Sequence, residues 1–206
     1  MLKDRLYTAR RDGQKRRSAQ TALFYILWNL VKVLAPILPF TMEEAWQSLT
    51  IEEETGSVHK AKWPQEYPEL VDEVALRDWE DFLAIRDPIN KELERNREAK
   101  IIGSSLEARV EIATESADLY DFLKRLQGDL PFGLVVSQAQ ILNASDGEGW
   151  KFVSVTLPSD GKSRSIGIRV REAEGEKCVR CWNYSTSVGA HALHPRLCEK
   201  CIEAVC

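Results

Sequence analysis

Lys100-Ile101-Ile102-Gly103-Ser104-Ser105-Leu106-Glu107-Ala108-Arg109-Val110-Glu111-Ile112 is where the hydrophobic period of this 206-residue chain changes. Upstream, apolar residues recur every three or four positions. Ala22, Leu23, Ile26, Leu27, Leu30, Val31 and Leu34 form one stripe, and Val71, Val74, Trp79, Phe82, Leu83, Ile89 and Leu93 another. That is the period of amphipathic helices. Past Gly103, Leu106, Ala108, Val110 and Ile112 alternate with Glu107, Arg109 and Glu111. That is the period of a strand with one face buried. The chain is therefore expected to be multi-domain, with an N-terminal α-helical bundle over residues 1–103 and a small α+β domain over 104–172.

Local signals fill in both parts. Pro36 and Pro39 end the first long helix. Thr41-Met42-Glu43-Glu44 reads as a capping box that opens a helix through Trp46 and Leu49. Residues 50–68, with Glu52–Glu54, Trp63-Pro64 and Pro68, read as a connector. Asp87-Pro88 is expected to kink the next helix without ending it, because the pattern resumes. Gly103 is its expected C-cap. Residues 116–127 read as a helix. Leu134–Val136 and Ala139–Leu142 read as a strand or a bulged pair. Phe152–Leu157 and Ser165–Val170 are two more strands, joined by the turn residues Pro158–Gly161. Glu172–Glu176 is a short linker.

The last part, residues 173–206, is defined by thiols. Cys178-Val179-Arg180-Cys181 and Cys198-Glu199-Lys200-Cys201 are separated by residues 182–197, a spacing that suits a four-thiolate zinc site. Each Cys-x-x-Cys turn supplies two soft ligands of a tetrahedron. A segment of about 30 residues buries little core, so the metal would supply much of its folding free energy. Four cysteines close the shell and leave no position for water, so one structural Zn2+ is expected. His191 and His194 are the alternative ligands. The fifth cysteine, Cys206, reads as incidental, and an odd count argues against a secreted disulfide framework.

Other chemistry is absent from the sequence. Gly161-Lys162-Ser163 has Thr156 where a phosphate loop needs Gly, and neither Gly-x-Gly-x-x-Gly nor Gly-x-Ser-x-Gly occurs. Glu43-Glu44 reads as favourable charge at a helix start. No apolar run reaches the length of a membrane span. The first residues read as charged helix without an apolar leader, the start expected of a piece of a longer chain.

The net charge is −4, and it is unevenly spread. Arg10, Arg11, Lys15, Arg16 and Arg17 crowd the start of the chain, while residues 52–81 are acidic. A basic stripe on an acidic protein can hold phosphates, because screening keeps its field local; it can equally be a solvated helix face. Arg180 and Trp182 lie in and just after the first knuckle. On a rigid metal-held turn they suit phosphate pairing and base stacking. The other reading of Trp182 is the large apolar residue that fills a very small core. A zinc ribbon is also a common protein-docking module, so RNA does not follow from zinc alone.

The residues together resemble the C-terminal part of bacterial-type isoleucyl-tRNA synthetases, class I aminoacyl-tRNA synthetases. The resemblance is carried by Lys3-Asp4-Arg5-Leu6-Tyr7, Ser18–Leu23, Leu34-Ala35-Pro36-Ile37-Leu38-Pro39-Phe40-Thr41 with Glu44 and Trp46, Val58-His59 with Trp63-Pro64, Asn90-Lys91 onward to Ala108, and the two knuckles with Trp182 and Leu197. It covers essentially the whole chain. It implies that 1–103 is the latter part of a helical anticodon-binding domain, and that the α+β and zinc parts form an appendage that reaches the anticodon region. It implies tRNA(Ile) as partner, together with the catalytic and editing domains of a longer cytoplasmic, monomeric ligase that uses ATP. It makes Arg180, Trp182 and the basic stripe candidate tRNA contacts. The family's catalytic His-x-Gly-His and Lys-Met-Ser-Lys-Ser signatures are missing: His191-Ala192-Leu193-His194 has Leu where Gly belongs. These residues are therefore expected to hold RNA without making aminoacyl-tRNA on their own.

Overall fold

The computed structural model describes residues 2–49, 56–142 and 147–206; the Glu52–Glu54 run of the expected connector lies outside them. The chain forms two compact units, one over residues 4–71 and one over 72–206. The expected order holds: helices, then a small mixed sheet, then the cysteine cluster.

The first unit holds α1 (Leu2–Tyr7), α2 (Gln14–Leu34) and α3 (Pro39–Gln47). Its core gathers Val31, Ala35, Trp46 and Val58. Trp28 stacks on Trp46 with ring centroids 5.0 Å apart, and Lys32 Nζ lies 3.7 Å above the Trp28 ring. Helix α3 opens at Pro39, with Leu38 as its N-cap, three residues earlier than the capping-box reading placed it. Pro suits the first helical position, where its missing N–H would have had no partner. Thr41 therefore sits inside the first turn and caps nothing. Glu43 is used elsewhere. Its carboxylate accepts from Ser57 Oγ at 2.8 Å, Val58 N at 3.0 Å and Gln47 Nε2 at 2.8 Å, which ties α3 to the 3-10 turn Val58–Lys60.

The second unit begins with α4 (Glu73–Glu98), whose N-cap Asp72 accepts from the amides of Val74 and Ala75 at 3.0 Å each. The helix runs on through Pro88 and stops at Glu98; Lys100, with φ 58°, takes the left-handed position expected of Gly103. The apolar stripe Phe82, Ile85, Ile89 and Leu93 lies in the same core as the sheet residues Val110, Ile112, Ile166 and Ile168. Helix α4 thus packs with the sheet, although its sequence period matches that of the helices before it.

The sheet has strand order β2-β1-β4-β3, formed by β1 (Ala108–Ala113), β2 (Gln138–Leu142), β3 (Lys151–Thr156) and β4 (Ser163–Glu172). β1 and β2 are parallel, so the chain crosses between them through α5 (Ala117–Leu126) and α6 (Leu130–Leu134). β4 runs antiparallel to both β1 and β3. The strand expected over Leu134–Val136 is instead the end of α6, closed by Val135 in the left-handed region at φ 59°. Helix α6 seats against α4 at Gly133, where an added Cβ would lie 2.3 Å from the Phe82 ring. Glu111, expected on a solvated face, is buried. Arg169 Nε lies 2.5 Å and Arg109 Nη2 3.0 Å from its carboxylate, and the Arg169 guanidinium lies 4.2 Å from the Trp150 ring. Such a charge is tolerated inside only because it is paired. Among the described residues no helix is long and apolar enough to cross a membrane.

Candidate metal centre

Two short strands, β5 (Glu176–Lys177) and β6 (Tyr184–Ser185), pair antiparallel, and the first knuckle lies in the turn between them. The turn is closed by Trp182 N donating to Cys178 O at 2.9 Å and by Cys178 N donating to Asn183 O at 2.9 Å. The second knuckle opens α7 (Glu199–Val205), with Cys198 at the N-cap and Cys201 in the first turn. Chain segments twenty residues apart thereby bring four sulfurs together.

All four Sγ atoms, of Cys178, Cys181, Cys198 and Cys201, lie within 4.8 Å of one another, and the Cys181 and Cys198 sulfurs are 3.7 Å apart. Sulfurs about 2.3 Å from one zinc ion stand about 3.8 Å apart along a tetrahedron's edges, so the set fits the metal. Among the described residues this is the only group of three or more potential ligands. His191 and His194 stack on each other with ring centroids 5.5 Å apart and are not part of it. Cys206 is exposed and also outside it.

The thiols differ in acidity. Burial works against ionisation of Cys178, but the amides of Cys181, Cys198 and Arg180 outweigh it and bring its pKa down to about 6. Burial pushes Cys201 up to about 11, against the pull of Arg180. Burial, and then the neighbouring sulfurs of Cys198 and Cys201, hold Cys181 well above the ordinary thiol range. Zinc binding must therefore displace protons, so its affinity rises with pH. Four sulfurs and no open position make this zinc structural. It anchors a module whose buried core is Cys178, Cys198 and Cys201, with Val188 and Leu197 packed around it.

The rim of the site differs from the sequence expectation at one residue and resolves an alternative at another. Arg180 is half-buried, and its Nη1 donates to Cys201 Sγ at 3.6 Å, so one edge of the guanidinium faces the metal site. Trp182 does not fill the small core. It is 62% exposed, and its backbone is left-handed at φ 67°. Lys177 Nζ lies 6.0 Å from its ring. A bulky residue in that region is strained, and Gly would hold the same turn without strain. The basic residues stand in the first unit, at the end of the α1–α2 loop and the first turn of α2. Arg10, Arg11, Lys15 and Arg17 are exposed, Arg16 is half-buried, and Arg10 pairs with Asp12 at 2.8 Å. The predicted residues therefore form two groups, one in each compact unit. Sequence reasoning missed Ser137 and Gln138, which bond the zinc segment across 36 and more positions; nothing local in the sequence signals such bonds.

Two family models match the chain. One, described as the anticodon-binding domain of tRNA ligase, covers residues 1–112; the other, a zinc finger found in FPG and IleRS, covers residues 175–204. Curated relatives align along almost the whole chain. The isoleucine–tRNA ligase of Gloeobacter violaceus is 38% identical over 98% of this chain and 20% of its own length. That of Staphylococcus epidermidis is 40% identical over 98% of this chain and 20% of its own length. That of Laribacter hongkongensis is 39% identical over 100% of this chain and 19% of its own length. The chain spans about a fifth of the length of these relatives. With a helical first unit under the one model and a four-thiolate centre under the other, the chain belongs to the isoleucyl-tRNA synthetase family, of which it carries the anticodon-binding and zinc-finger regions.

Proposed function

We propose that this chain binds the anticodon region of an isoleucine tRNA, as part of a monomeric cytoplasmic ligase that attaches isoleucine to that tRNA with ATP. The observation that carries this reading is Trp182, a large aromatic left exposed on a strained backbone beside a metal-fixed turn. Burial gives its side chain no structural use, whereas an unpaired base offers a π-face to stack on. Stacking of this kind is worth about 1–3 kcal/mol per base. Arg180, which donates to Cys201 from the same turn, is the second candidate contact of the zinc module. Arg10, Arg11, Lys15, Arg16 and Arg17 supply sequence-independent grip on the backbone, and the three segments 1–103, 104–172 and 173–206 divide this work between them. Docking of the anticodon would then help position the distant acceptor end, serving rate and specificity together.

Binding of the 206-residue chain to isolated isoleucine tRNA and to unfractionated tRNA, each at two salt concentrations, tests the proposal. The expected result is tighter binding of isoleucine tRNA and an affinity that falls steeply as salt rises. Equal affinities, or no salt dependence, would instead favour a zinc ribbon that docks protein.

A further inference from the structure

The segment that joins the sheet to the zinc module, residues 173–175 between β4 and β5, is short, and Glu174 and Gly175 are exposed. A three-residue linker of this kind would ordinarily be a hinge. Here its backbone is held at nearly every step. Ala173 N donates to Glu107 O at 2.7 Å, extending the pairing of β1 and β4. The Gln138 side chain then grips Glu174 at both main-chain groups: Nε2 donates to Glu174 O at 2.9 Å, and Oε1 accepts from Glu174 N at 3.0 Å. One amide thus satisfies a complete peptide position, as a neighbouring strand would. Arg109 adds an ion pair to the Glu174 carboxylate. At Gly175, φ 88°, the linker passes so close to β6 that an added Cβ would lie 2.3 Å from the Ser185 carbonyl carbon.

A second hold lies next to the first. Ser137 Oγ donates to Leu106 O and accepts from Tyr184 N at 2.7 Å, so one hydroxyl bridges the start of β1 to the start of β6. Tyr184 opens β6, two residues beyond Trp182. Lys200 of α7 also lays its Nζ 4.3 Å from the Phe132 ring of α6.

We infer that Ser137 and Gln138 are positioning residues: they lock the zinc module in one orientation on the sheet and so fix where Trp182 is presented. Zinc makes the module rigid within itself, but a rigid module on a free linker would carry Trp182 through a wide range of directions. The clamp removes that freedom before RNA arrives, so the ordering cost does not fall on binding. The inference rests on the tRNA reading for its purpose, and on hydrogen-bond geometry alone for the clamp.

Two measurements on the whole chain separate these. Residual dipolar couplings report whether the zinc module and the sheet share one orientation in solution. Wild type is expected to give one alignment for both, and the Ser137→Ala/Gln138→Ala variant two, with zinc content unchanged. A shared alignment in the variant overturns the clamp. The second measurement is a cycle of tRNA affinities. Loss of each hydrogen bond is expected to weaken binding about two- to tenfold. Ser137→Thr, which keeps the hydroxyl, should retain wild-type affinity. In a Trp182→Ala background the clamp variant should cause a smaller further loss than in wild type, because of the two contacts it orients only Arg180 remains; fully additive losses would overturn that route. If Trp182→Ala alone leaves affinity unchanged, the tRNA reading fails, while the alignment measurement still decides the clamp.

Discussion

Trp182 is the residue on which chemistry and conformation disagree most. Left-handed backbone at a bulky side chain costs about 1–3 kcal/mol, and such strain persists where the surroundings impose it, often at functional sites. The metal turn imposes it here, and the exposed indole gains little from burial in return. Replacement by glycine should relieve the strain. Trp182→Gly is therefore expected to keep its zinc and to melt no lower than wild type, as read by metal content and calorimetry; a clear drop in melting temperature would mean that the indole is structural after all. The four thiol ligands were legible in the sequence because each pair is local and the spacing of a metal knuckle is a short-range property. The exposure of Trp182 was not, since the same residue could have filled the small core. The inward turn of Arg180 was not legible either, because it depends on where Cys201 stands twenty-one positions later.

The strands β1, β3 and β4 and the helices α2 and α5 follow periods that the sequence displays, and each lies within a few residues of where alternation or the helical stripe puts it. Partners are another matter. The stripe on α4 states that one face is buried, but not against what; Phe82, Ile85, Ile89 and Leu93 meet the sheet because β1 and β4 present a complementary apolar face. The run Leu130–Val136 is too short and too uniformly apolar to show any period, so neither α6 nor the close seat of its Gly133 on the Phe82 ring could be read from it. Helix α3 gives a case that titration can test. Hydrogen bonds from Gln47, then Ser57, then the Val58 amide hold the Glu43 carboxyl below its ordinary value of 4.5. A carboxyl whose folded pKa is depressed contributes stability that is present above the unfolded value and is lost as pH falls through the folded one. Following the Val58 amide by NMR should give a midpoint below 4.5, with the link between α3 and the Val58–Lys60 turn released at lower pH. A midpoint at or above 4.5 would show that these bonds do not hold in solution.

At the scale of the whole chain, the sheet and the zinc module have separate buried cores. The sheet unit has an apolar cluster that contains none of the metal-bound cysteines, whereas the zinc module has little core besides them. Structural zinc supplies about 10–16 kcal/mol of folding free energy in small modules of this kind. Chelation is therefore expected to expose the amides of residues 178–201 to hydrogen exchange while β1 and β4 stay protected. Protection lost together in both regions would show one cooperative unit, and protection kept in both would show a module that does not need its metal. A zinc-dependent module on a metal-independent sheet lets the metal fix the platform while the clamp at Ser137 and Gln138 aims it. In the proposed function this platform meets the anticodon through Trp182. The direct test is the affinity of the Trp182→Gly chain for isoleucine tRNA, measured beside wild type at matched zinc content and salt. A loss of about five- to a hundredfold, the stacking of one base, is expected, with the salt slope unchanged. Wild-type affinity in that variant would show that Trp182 stacks on no base of the tRNA.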